Sequence, residues 1–278
     1  VSAADEARRR AGRARRPPPP FRRVEVRGAE VLGPRLVRVT VGGPELLGFT
    51  VAEPAASVRV LLPAPGADAL ELPTWRGNEF VLADGRRPTI RTLTPRNVRA
   101  GLLELDLDIV VHGQGAASSW ARSARPGDPL AVSGPGRGYR VDVGAPAFFL
   151  GGDETALAAV GQLLEVLPQD RPVRVCIEVA RPDARIALPT RPHHDVEWCT
   201  QAPGSPPGRA VEAAVRRAPL DPGTRVWLAG EASAVQRLRL HLFEDRGVPR
   251  AHASVRGYWK HGRSGDGGDT DGEDATSG

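Results

Sequence analysis

Residues 147–167 read AFFLGGDETALAAVGQLLEVL, and this stretch decides the fold class. AFFL at 147–150 is apolar without alternation, the pattern of a short strand buried on both faces. A helical period then takes over, with Ala156, Leu157, Val160, Leu163, Leu164 and Leu167 on one face of a helix expected over 155–167. Between the two, Gly151 and Gly152 let the backbone turn sharply, and Asp153 or Thr155 stands where a helix cap belongs. Such a strand-to-helix turn opens a parallel α/β sheet, and its helix N-terminus offers unpaired N–H groups to an anion.

Downstream the same grammar repeats. Strands are expected at Val173–Val179, Val196–Cys199 and Arg225–Leu228, helices at 209–217 and 233–245, and Ala253–Tyr258 closes the sheet. Upstream the period is two. Val24 and Val26 alternate with charges, as do Val37, Val39 and Val41, and Leu103, Leu105, Leu107 and Ile109 share one face. Turn signals such as GP at 33–34 and PGD at 126–128 punctuate this half, and no helical pattern interrupts its strands until near residue 116. The expected architecture is a two-domain α+β chain. An N-terminal antiparallel Greek-key β-barrel (21–143) is followed by a C-terminal Rossmann-like α/β domain with a mainly parallel sheet (144–262).

Charge and composition narrow the function classes. The 278 residues carry a net charge of +5, and Lys260 is the single lysine beside 37 arginines. Arginine abundance of this kind reflects composition more than function. Residues 1–20 hold six arginines and end in prolines, so a disordered basic arm is expected there, and residues 263–278 read as a disordered acidic tail. The mild basic excess of the body suits an anionic ligand better than duplex DNA, and no nucleic-acid partner is expected. Cys176 and Cys199 form no CxxC pair, and His193, His194 and His241 have no partners at ligand spacing, so no metal site is expected. No apolar run approaches the ~20 residues of a membrane span. Membrane insertion is therefore not expected, and cytoplasmic location is the default. A monomer is expected.

No hydrolytic triad or serine elbow is present, so the chemistry must come from a cofactor rather than from a catalytic side chain. The turn Gly152, Asp153, Glu154, Thr155 and Ala156 is the first candidate for a pyridine dinucleotide, with a purely structural capped turn as the alternative. Its two acids suit the nicotinamide end better than a phosphate. Gly230 and Glu231 end a later strand of the same sheet, and Arg181 with Arg185 could hold a 2′-phosphate. In the barrel half, RTLT at 91–94 sets an arginine beside two hydroxyls, suited to a phosphate and a flavin edge. HGQGAASSW at 112–120 has small residues for close backbone approach, and Ser118 or Ser119 is expected to cap a helix facing phosphate.

Taken in order, RTLT (91–94), HGQGAASSW (112–120), GPGRGY (134–139), GGDETAL (151–157), WLAGE (227–231) and GYWKHG (257–262) resemble the siderophore-interacting proteins. These are FAD-dependent ferric-siderophore reductases within the ferredoxin-reductase-like superfamily. The resemblance implies FAD on the barrel, held by Arg91, Thr92, Leu93, Thr94, His112, Gly113, Gly115, Ala117, Ser118 and Ser119, with Tyr258 and Trp259 near the flavin. It implies NADPH or NADH on the second domain, and a ferric siderophore met by Lys260 and His261. Electrons would pass from NAD(P)H through FAD to Fe(III). A ferredoxin donor, another acceptor, and a non-catalytic siderophore or flavin carrier are the alternatives. The chain departs from the family pattern at Leu93, where an aromatic is usual, at Ala116 and Ala158, where prolines are usual, and at Lys260 and His261, where two arginines are common.

Overall fold

The alternating valines of the first half build one curled antiparallel sheet. In the computed structural model, which describes residues 17–262 apart from 65, 66, 68 and 114, the chain begins with β1 (Arg22–Gly33), β2 (Leu36–Gly42) and β3 (Val58–Leu61). A small hairpin of β4 (Thr74–Arg76) and β5 (Glu79–Val81) follows. Then come β6 (Ile90–Leu93), β7 (Pro95–Arg99), β8 (Glu104–Val110), helix α1 (Ala116–Ser123) and β9 (Pro129–Ser133). Seven strands pair in the order β6-β3-β9-β1-β2-β8-β7 and curl into a half-barrel. One set of alternating side chains fills its interior: Val37, Val39, Val41, Val60, Leu105, Leu107, Ile109, Leu130 and Val132 are all buried. Leu103, expected on the same strand, stands just before β8 as a turn residue with φ 53° and reaches that core only in part.

The outer face of this sheet carries a charged ladder. Asp106 is buried and accepts hydrogen bonds from Thr40 Oγ1, Asn97 Nδ2 and Arg99 Nη2, each at 2.8 Å. Burial alone would raise its pKa, but the donors from Arg99, Asn97 and Thr40 outweigh it and hold the carboxyl below its ordinary 3.8. A depressed folded-state value means stability that is complete above the unfolded pKa and lost as pH falls through the folded one. Denaturant midpoints are therefore expected to drop as pH falls below about 3.8. In Asp106→Asn that part of the acid dependence should vanish.

The second half is a parallel sheet of β10 (Phe148–Asp153), β11 (Val173–Val179), β12 (His194–Thr200), β13 (Arg225–Glu231) and β14 (Ala253–Trp259). Helices α2 (Leu157–Val166), α3 (Arg209–Arg217) and α4 (Ala232–Leu240) connect these strands. The order β12-β11-β10-β13-β14 puts the first strand in the middle, so the direction of strand addition reverses between β10 and β13, which remain parallel. In sheets of this kind the ligand crevice lies outside the carboxyl ends at that reversal. Phe148 and Leu150 join the core on one face while Phe149 joins the core on the other, as a strand covered on both sides requires.

Several strands run one to three residues longer than the sequence reading, β12 and β13 among them, and three other boundaries also differ. β10 continues through both glycines to Asp153 because they lie in the sheet rather than in a turn. A Cβ on Gly151 would stand 2.8 Å from Leu228 Cδ2, and one on Gly152 only 2.2 Å from the Ala229 carbonyl oxygen. Helix α2 starts at Leu157, after one tight turn over Glu154–Ala156. The helix expected over 233–245 ends at Leu240 and passes into a π turn, His241–Asp245.

The two halves are bolted together. Arg35, in the β1–β2 turn, donates from Nε to both carboxylate oxygens of Glu154 at 2.9 and 2.8 Å. Arg96 grips Glu165 of α2 in bidentate fashion at 3.0 and 2.7 Å. Gln162 donates to Pro95 O at 2.7 Å and accepts from Ala55 N at 2.9 Å. Pro18–Pro20, read as part of the arm, line a groove of about 250 Å³ with Trp75 and Phe80, and Ser133 Oγ donates to Pro19 O at 2.5 Å. Residues 1–16 and 263–278, where the rest of the arm and the tail were expected, lie outside the described residues.

Candidate functional site

The carboxyl ends of β10, β11 and β13 each deliver a buried acid to the start of a helical turn. Asp153 Oδ1 accepts from Thr155 N at 2.9 Å and from Thr155 Oγ1 at 2.5 Å. Glu178 accepts from Gly208 N at 2.7 Å and Val211 N at 2.9 Å, capping α3. Glu231 accepts from Ala234 N at 2.9 Å, capping α4. These side chains satisfy the N–H groups that a dinucleotide pyrophosphate would otherwise take. Gly152 and Gly230 admit close packing here, and the space beside them is only about 10 Å³. Asp153 serves as the cap foreseen for this turn, and Ala156 is buried in the core. Glu154 does not face the crevice: it is engaged by Arg35 and by Ala180 N at 3.0 Å. Arg181 and Arg185 are exposed just past β11, Arg181 in a pair with Asp183 at 3.1 Å.

The barrel side has the opposite character. Helix α1 begins after Gly115, and no side chain caps it. Its first-turn amides, including those of Ala117 and Ser118, therefore lack intrahelical partners. Neither serine caps this helix as expected. Ser118 falls inside its first turn, where its buried Oγ accepts from His112 N at 3.0 Å and donates to Val110 O at 3.4 Å, tying the loop shut. Ser119 is exposed on the same turn. An added Cβ at Gly113 or Gly115 would meet nothing within 4 Å, so the approach to the amides is open. Uncapped amides, the Ser119 hydroxyl and open ground beside them form a donor set that fits the phosphates of FAD. On β6, Thr92 is exposed, Arg91 is half-buried with Nη1 donating to Ile90 O, and Leu93 packs partly into the barrel core.

The last strand joins these two sides. Burial pushes the Tyr258 phenol pKa up, and the Thr94 hydroxyl at the end of the RTLT strand pulls it the other way. Trp259 Nε1 donates to Asp153 Oδ2 at 2.8 Å, and its ring lies 6.3 Å from that of His112. His261 N donates to Glu231 Oε1 at 3.2 Å, and its ring is 6.2 Å from Trp259. Lys260 is exposed beside them. HGxG, GGDET, AGE and GYWKH thus converge on one region. Sequence reasoning missed Glu178 and Arg35. A lone acid in the apolar strand VRVCIEV was the available signal for the first; the second was hidden among many arginines. Among the described residues no group of His, Cys, Asp and Glu is arranged to hold a metal, and no helix is long and apolar enough to cross a membrane.

Comparison with known proteins matches two adjoining family models. Residues 25–139 match the siderophore-interacting FAD-binding domain, and residues 145–262 match the siderophore-interacting protein family. A siderophore utilization protein from T. fusca superposes with a TM-score of 0.79 at 31% identity, covering 90% of this chain and 96% of that one. An uncharacterised Mycobacterium tuberculosis protein is 35% identical over 88% of this chain and 92% of its own length. The ferric vibriobactin reductase ViuB of Vibrio cholerae is 28% identical over 82% of this chain and 85% of its own.

Proposed function

The chain belongs to the siderophore-interacting protein family, with an FAD-binding first half, and on that premise we propose that it reduces ferric siderophores with electrons drawn from NAD(P)H. One observation carries this reading: the Trp259 ring of the second half lies 6.3 Å from the His112 ring of the first, so the two halves meet at a single seam. Bound at that seam, FAD supplies the conversion between a two-electron hydride donor and one-electron delivery to ferric iron. The α1 amides and Ser119 would hold its phosphates, and Arg91, Thr92 and Leu93 would stand at its ring system. The iron is substrate. Once reduced it is a poorer partner for hard oxygen ligands, so the chelate releases it.

The side chains orient and attract rather than transfer protons. Lys260 and His261 stand exposed next to Trp259 and form the basic rim toward which an anionic chelate is drawn. Lys260→Ala is expected to raise the KM for a ferric chelate several-fold while leaving reduction of FAD by NADPH unchanged; equal effects on both half-reactions would refute the role. Arg181 and Arg185 are the candidates for the 2′-phosphate of NADPH, so Arg181→Ala should weaken NADPH more than NADH, and a uniform loss would count against that role. Leu93→Tyr restores an aromatic face, and a ring contact worth about 0.5–1.5 kcal/mol should tighten FAD roughly two- to tenfold. Unchanged affinity in a fluorescence titration would remove the argument.

A second reading, a flavin or siderophore carrier without turnover, draws on Leu93 and on the acid-capped crevice. A visible spectrum separates the two. The proposed enzyme with FAD bleaches on NADPH and recovers on addition of a ferric chelate, whereas a carrier holds a constant flavin spectrum.

A further inference from the structure

Asp153 was the first candidate for contact with the pyridine nucleotide, yet its acceptors are already engaged. It is 6% exposed and receives four hydrogen bonds from three separate segments. Oδ1 takes the Thr155 amide and hydroxyl, and Oδ2 takes Glu231 N and Trp259 Nε1, both at 2.8 Å. The backbone is shaped to admit this carboxylate. Gly230 has φ 152°, and a Cβ there would lie 2.6 Å from Asp153 Oδ2. The pairing of β13 with β14 shifts register just after Gly230, so that Glu231 stands opposite Trp259. The indole it fixes is half-buried, with the His112 ring of the barrel loop 6.3 Å away and the His261 ring 6.2 Å away.

We propose that Asp153 is a positioning residue, which latches the Trp259 indole through its N–H and sets that ring as a fixed wall of the seam facing the His112 loop. The inference rests on the flavin reading of that seam and adds a second residue through which the GGDET turn acts. The turn does not touch the nucleotide phosphate; it holds the aromatic that borders the flavin. Thr155 and Glu231 N hold the carboxylate in place, so the ring cannot rotate without breaking a charge-assisted bond inside a buried site. Asparagine at 153 keeps the size but puts a donor in place of one oxygen, facing either the Thr155 amide and hydroxyl or the Glu231 amide and the indole together; in either flip the indole loses its carboxylate acceptor. Phenylalanine at 259 keeps a ring and removes the N–H.

The test uses the full-length chain labelled with ¹⁵N-tryptophan. The Trp259 indole signal is assigned by its loss in Trp259→Phe. In Asp153→Asn that signal is expected to move upfield and exchange faster with solvent, with the other four indole signals unmoved. FAD affinity, read by flavin fluorescence, should fall about five- to tenfold in each single variant, and the double variant should be no weaker than Trp259→Phe alone. Losses that add in the double variant would overturn the proposal, since Asp153 would then act independently of the ring. So would movement of all five indole signals, which marks a general folding effect, or an unmoved Trp259 signal in Asp153→Asn. The indole signal reads the latch without any flavin, so failure of the latch is distinguishable from failure of FAD to bind.

Discussion

Gly152→Ala is expected to destabilise the second sheet strongly. A Cβ at this position would lie 2.2 Å from the Ala229 carbonyl oxygen and 2.6 Å from the Ala156 Cβ. The first neighbour is backbone of the adjacent strand, and the second is locked in the tight turn that opens α2, so neither can swing away. Relief requires parting β10 from β13, the central pair of the sheet. Overpacking costs typically 1–3 kcal/mol where side chains can adjust, so about 3 kcal/mol or more is expected here. Against ordinary domain stabilities of ~5–15 kcal/mol, that removes a large share. Chemical denaturation monitored by circular dichroism measures the loss. Gly28→Ala is the control: no atom lies within 4 Å of its added Cβ, and its change should stay within about 0.5 kcal/mol. Equal midpoints for the two variants would contradict the packing argument.

The second large effect belongs to Arg35→Ala. Glu154 is 8% exposed, and without Arg35 its charge keeps one amide, Ala180 N at 3.0 Å. Breaking a buried pair by removing one partner typically costs ~3–5 kcal/mol, because the remaining charge stays buried without its counter-ion. Replacing both partners, Arg35→Met with Glu154→Leu, should return most of that loss. The exposed pair of Arg174 and Asp195 serves as reference, and Arg174→Ala should change stability by less than about 1 kcal/mol. Thermal unfolding followed by near-ultraviolet and far-ultraviolet signals would also reveal the two halves losing their common transition in Arg35→Ala. A loss no larger than that of Arg174→Ala would mean that the pair does not hold the halves together.

What could be read from the sequence is what is local. The period of two in the valine-rich strands and the helical face from Ala156 to Leu164 both depend on neighbours within a few residues, and both fold as read. Leu150 was taken as the end of its strand because glycines usually break strands. Here two glycines instead let β13 approach closely, which a single strand's sequence does not disclose. Ser118 looked like a cap because serines suit helix starts, but Gly115 precedes the first turn and Ser118 turns inward to the loop. Long-range pairing was beyond reach. Asp153 meets Glu231 and Trp259 across 78 and 106 residues, and no spacing rule links them. Resemblance brought these motifs together as a set, although it did not say which carboxylate would cap a helix and which would hold a ring.

The lone lysine keeps its interest. Lys260 is exposed beside Trp259, whose indole is latched to Asp153, while Arg35 and Arg96 are committed to ion pairs within the fold. A cation free to reach an anionic chelate is more useful at that position than one more cross-link.

Release of Fe(II) tests the central claim most directly. The full-length protein, FAD, NADPH and a ferric trihydroxamate or tris-catecholate are combined without oxygen, and Fe(II) is trapped with a chromogenic chelator. Fe(II) should accumulate over many turnovers, only when protein, FAD and reductant are all present. A protein that binds both FAD and the ferric chelate yet yields no more Fe(II) than free FAD with NADPH would contradict the reductase reading and leave the carrier in its place.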